Sequence, residues 1–127
     1  MVNINCTEKQ AMLIEVALDT LSRMSCGQLR EAIRGMEHMR GKTFPFMHGE
    51  IQERDKHLDA LKKVIFPELH RNASYGVGSE EIGDAQVSYE MVKKLQNYRT
   101  KDMKEAGVLK HAPLHYSSEP LIEVTDG

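Results

Sequence analysis

From Thr7 to Met39 the apolar positions follow a helical period, interrupted once at Ser25-Cys26-Gly27, so this stretch predicts a helix, a sharp break and a second helix returning along the first. Thr7 followed three residues later by Gln10 is a capping-box pattern, in which each side chain satisfies an orphan backbone donor of the other residue. In the second helix Leu29, Ala32, Ile33 and Met36 form one stripe, and Arg30, Glu31, Arg34 and Glu37 point away from it. The first helix is apolar on more than one face, through Ala11, Leu13, Ile14, Val16, Ala17, Leu18, Leu21 and Met24. A helix of that kind needs several neighbours, and in a chain of 127 residues this predicts a homo-oligomer that supplies some of them. Gly27 suits the break, and Ser25 or Cys26 is placed to cap the second helix.

Gly41 reads as the stop of the second helix, and Phe44 and Phe46, flanking Pro45, read as a cover for an open end of the core. A third helix is predicted from about Gly49 to Phe66, with Ile51, Leu58, Leu61 and Ile65 inward and Glu50, Glu53, Arg54, Lys56 and Lys62 outward; Pro67 ends it. After a glycine-containing loop from Glu68 to Gly83, a fourth helix is expected from an Asp84 cap to about Tyr98, with Val87, Met91, Val92 and Leu95 inward. Pro113 and Pro120 exclude a continuous helix beyond Thr100. Val2, Ile4 and Cys6 alternate with polar residues as a strand does, and Leu121 to Val124 is the other candidate, so the termini are expected to pair in a small two-stranded ribbon. The predicted architecture is mainly α: a single-domain bundle of about four helices over residues 1–110, with an extended C-terminal tail over 111–127.

Charge alters this picture little. Seventeen Lys and Arg against nineteen Asp and Glu give a net charge of -2, which supplies no global case for nucleic acid or an anionic membrane. Eight Met and no Trp suit a core packed by flexible side chains, or an adaptable interaction surface. Cys6 and Cys26 lie at opposite ends of the first helix, roughly 30 Å apart over about twenty helical residues, too far to bridge. With no signal peptide and no apolar run long enough to span a bilayer, the expectation is an intracellular protein with reduced thiols.

The stretch with the most suggestive chemistry is Arg71-Asn72-Ala73-Ser74-Tyr75-Gly76-Val77-Gly78-Ser79. It offers a guanidinium, an amide, hydroxyls and an aromatic face, the groups that hold an anionic or nucleotide-like ligand, although it matches neither a P-loop nor a dinucleotide fingerprint. A turn-rich connector with Tyr75 packed on the core is the competing reading. Arg30 and Arg34, one turn apart, are the natural supporting cations; with Arg23 and Arg40 they also form a basic edge that could serve a nucleic-acid-binding regulator or stand as a solvated face. Six histidines show no metal-ligand spacing: His111 and His115 are separated by Pro113, so no metal and no cofactor is expected. Asp19 on the apolar first helix calls for a partner at Arg23, four residues on. No nucleophile motif surrounds any Ser or Cys, and a small nucleotide hydrolase would have to draw on Glu50, Glu53, Glu80, Glu81 and Asp84.

Several segments carry a family resemblance: Ala17-Leu18-Asp19-Thr20-Leu21-Ser22-Arg23 with Gly27-Gln28, Phe66-Pro67-Glu68-Leu69, Asn72-Ala73-Ser74-Tyr75-Gly76, the Asp84-Ala85 helix start and Ser117-Ser118-Glu119-Pro120-Leu121. In these the chain resembles small accessory proteins of tailed phages and prophages. The resemblance implies a non-catalytic protein of the bacterial host's cytoplasm that binds a host factor or a small anionic ligand, in some cases to counter host defence. On that expectation Arg71, Asn72, Ser74 and Tyr75 hold the ligand with Arg30 or Arg34.

Overall fold

The structure, a computed structural model, describes residues 1–39, 48–101 and 115–127. Among these it is mainly helical, with four α-helices: α1 (Glu8–Ser25), α2 (Leu29–Met39), α3 (His48–Ile65) and α4 (Ala85–Arg99), plus one 3-10 turn at Glu80–Ile82. The four-helix architecture follows from the periodicity of the chain. Gly41, Phe44, Phe46 and the boundary between residues 110 and 111 lie outside the described residues.

The start of α1 is set locally. Thr7 Oγ1 accepts from the Gln10 amide at 3.1 Å and Gln10 Oε1 accepts from the Thr7 amide at 2.8 Å, closing the capping box. At its other end the chain reverses through Gly27, whose φ of +83° lies in the left-handed region that favours glycine. Neither proposed cap of α2 performs that role: Ser25 Oγ donates back to Leu21 O at 2.9 Å, and Cys26 is the buried C-cap of α1. Asp84 likewise makes no side-chain cap bond, because its own backbone is already helical.

α1 packs on α4 and α2, and α2 packs on α3. The α1–α4 contact is pinned by Arg99, whose Nε and Nη2 donate to the two carboxylate oxygens of buried Glu15 at 3.0 and 2.8 Å. Between α2 and α3, Arg54 donates to both oxygens of Glu37 at 2.8 and 2.7 Å. Among the described residues the apolar core is small: Cys26, Ile82 and Ala85 form its centre, with Tyr75 and Val77 packed against it. Leu29, Ala32 and Val92 are also buried.

Two expectations change. Residues 1–7 and 121–127 contain no strand, so the terminal ribbon is absent: two such short segments are too little to hold a ribbon without a covered face, and Val2 and Ile4 are exposed. The last two turns of α3 are rotated relative to the predicted stripe: Lys62 is buried while Leu61, Val64 and Ile65 face outward. As its apolar faces led one to expect, α1 is not enclosed within one copy of the chain. Leu13, Leu21 and Met24 are exposed, and its buried residues are the polar Glu15 and Ser22.

The C-terminal segment 115–127 has no helix, yet it is tied to the body. Glu90, buried on α4, accepts from the amides of Tyr116 and Ser117 at 2.6 and 2.8 Å and from Ser117 Oγ at 2.5 Å. The Tyr116 ring covers Gly78 so closely that a Cβ there would lie 2.9 Å from Cε1. Farther along, Asp126 pairs with Lys101 at 3.1 Å and accepts from the Tyr98 hydroxyl.

Candidate functional site

The break between α1 and α2 brings the first turn of α2 opposite the loop after α3. Two contacts hold the loop there: the Tyr75 amide donates to Cys26 O at 2.9 Å, and Gln28 Nε2 donates to Ser74 Oγ at 3.4 Å. The result is a cleft of about 300 Å³, lined by Gly27 to Glu31, by Leu58, Asp59 and Lys62 of α3, and by Arg71 to Ser74. That volume lies at the small end of the roughly 300–1,000 Å³ range of small-molecule sites. The first-turn amides of a helix lack intrahelical acceptors and carry the positive end of its dipole, so this end of α2 favours an anion.

Of the residues expected to hold a ligand, Arg30, Arg71, Asn72 and Ser74 line this cleft, and Tyr75 and Arg34 do not. Tyr75 turns inward instead: its ring meets Phe66 edge-on at 6.4 Å and its hydroxyl donates to Glu68 at 2.6 Å. That hydrogen bond pushes the Tyr75 phenol up to about 12 and holds the Glu68 carboxyl below its ordinary value. Arg34, one turn beyond Arg30, leans toward Asp55 of α3 at 3.8 Å.

Sequence reasoning missed one residue of the cleft wall. Lys62 is buried, and its Nζ donates to Arg71 O at 3.1 Å and also to Ala73 O. Two carbonyls engage two of the three ammonium donors. Among the described residues no carboxylate stands within ion-pair distance of Lys62. A buried cation balanced only by carbonyl dipoles is costly, and an anion placed against it is correspondingly favoured. The exposed Arg71 guanidinium has no hydrogen-bond or ion-pair partner among the described residues, whereas Arg30 is engaged by Asp59, through Nε at 2.9 Å and Nη2. The only sequence signal for Lys62 was its place in the last turn before the helix-ending Pro67, where α3 must hand the chain to a loop with unsatisfied carbonyls.

The basic edge is neutralised in its described part: Arg23 pairs with Asp19 at 2.9 Å, as the spacing predicts, Arg30 with Asp59, and Arg34 with Asp55. Arg40 lies outside the described residues. Among the acidic residues considered for hydrolysis, Glu53 faces His57 at 3.1 Å. No group of three His, Cys, Asp or Glu among the described residues converges as metal ligands. No helix among them is long and apolar enough to cross a membrane. The Cys26 thiol is pushed up by burial, against the pull of Arg23, which disfavours the reactive thiolate. Comparison with protein-family models, with curated proteins and with solved structures finds no match to this chain.

Proposed function

We propose that this is a non-catalytic binding protein for a small anionic, nucleotide-like ligand, seated in the cleft between the start of α2 and the 71–74 loop. The observation that carries the reading is Lys62: a buried ammonium with, among the described residues, one donor uncommitted, lining the same cleft as Arg71, whose guanidinium has no partner among them. In this reading Lys62 and Arg71 hold the anionic group, the first-turn amides of α2 complete its hydrogen bonding, and Asn72 and Ser74 orient the remainder. Arg30 takes a secondary part, because Asp59 already holds it. The resemblance to phage accessory proteins supplies the setting: a protein acting in the bacterial cytoplasm that sequesters a signal molecule of host defence.

Native mass spectrometry of protein purified without denaturation, followed by calorimetric titration with inorganic phosphate and with linear and cyclic nucleotides at low salt, tests this reading. A retained or titrated anion, weakened about tenfold or more by Lys62→Met and by Arg71→Ala, is the expected outcome. Helical circular dichroism of each variant separates lost binding from lost folding. Absence of binding by any of these anions to the folded protein at low salt would overturn it.

A further inference from the structure

Between residues 11 and 25, the exposed positions of α1 are Leu13, Ala17, Leu21 and Met24, all apolar. At 3.6 residues per turn they fall within an arc of about 80°, one continuous stripe. The polar residues that would ordinarily occupy such a face are elsewhere: Glu15 and Ser22 are buried, and Asp19 and Arg23 are paired with each other.

The stripe is arranged symmetrically about its smallest member. Leu13 lies four residues before Ala17 and Leu21 four residues after it. An antiparallel copy crossing at Ala17 therefore sets Leu13 of each chain against Leu21 of the other, and the two small residues meet where the backbones approach most closely. The same two-fold matches the ends. Val2 and Ile4, 88% and 75% exposed, precede the start of α1. Leu61, Val64 and Ile65, 48%, 79% and 52% exposed, belong to the end of α3 that comes near its far end, where a Cβ on Gly27 would stand 3.7 Å from Lys62 Cε and 3.8 Å from Phe66 Cδ2. Antiparallel pairing brings the leading segment of each chain to the α3 end of the other. The open area of these side chains and the stripe together is on the order of the ~800 Å² that each partner contributes to a stable interface.

We propose that the protein forms an isologous dimer through α1, antiparallel across a two-fold axis at Ala17, with the apolar leading segment of each copy covering the α3 end of its partner. Sedimentation equilibrium from micromolar to millimolar protein tests this, with Ala17→Glu and with Ala17→Cys in a Cys6→Ser background. The wild type is expected to be a dimer. Ala17→Glu, a change at an exposed position, weakens association about a hundredfold or more while helicity is retained, and Ala17→Cys cross-links to itself on mild oxidation. If Ala17→Glu does not fold, the cross-link alone decides. A monomer at millimolar concentration, a dimer indifferent to Ala17→Glu, or an Ala17→Cys dimer that does not cross-link would each overturn the proposal.

Discussion

Glu90 shows how much one side chain can carry when three donors converge on it. Its burial works against ionisation, but the bonds from Ser117 Oγ and the amides of Ser117 and Tyr116, aided by His115, outweigh that and hold the carboxyl below its ordinary value. A depressed folded value means that the stabilisation is complete above the ordinary glutamate value of 4.5 and is lost as pH falls below it. Glu90→Ala strands two backbone amides and is expected to cost about 2 kcal/mol in urea unfolding. Protection of the Tyr116 and Ser117 amides from hydrogen exchange, relative to their intrinsic rates, should fall in that variant at neutral pH, and in the wild type only in acid. Ser22 presents the opposite case. Its buried hydroxyl has no hydrogen-bond partner among the described residues, so Ser22→Ala is expected to raise stability by about 1 kcal/mol, read as a higher urea midpoint.

At the scale of elements, Gly27 does two jobs. Its positive φ permits the reversal between α1 and α2, and its missing side chain leaves room for Leu69, whose Cδ1 would lie 2.7 Å from a Cβ. Gly27→Ala should cost roughly 1–3 kcal/mol in urea unfolding, mainly through the backbone, and should weaken anion binding as the 69–74 loop shifts. What was legible in the chain follows the same local logic. The Thr7–Gln10 box, the Asp19–Arg23 pair, the glycine break and the four helices depend on residues a few positions apart, and spacing reports them directly. The Lys62–loop contacts, the Arg30–Asp59 pair and the Glu90 clamp depend on where the chain travels between elements. No period encodes that path. The candidate loop could be seen, and four of the six residues assigned to its site do share one cleft. Its buried cation could not, because a lysine on a helix with solvated neighbours reads as surface.

For the whole molecule, the small apolar core and the uncovered α1 stripe are two sides of one allocation of side chains. Buried positions on α1 are spent on Glu15 and Ser22, and Leu13 and Leu21 are left outside. The helix that organises the fold is held by polar bonds on its inner side and is open to association on its outer side.

The Glu15–Arg99 pair joins positions 84 residues apart, which places a constraint on time as well as on space. During synthesis, α1 and α2 leave the ribosome long before Arg99 does, and Glu15 must wait in water until α4 arrives. The nascent helical hairpin spends that interval with both of its faces exposed. Completion of the fold is therefore a late event, set by the emergence of α4, and a translational pause before residue 99 would lengthen the period in which Glu15 stands without its partner.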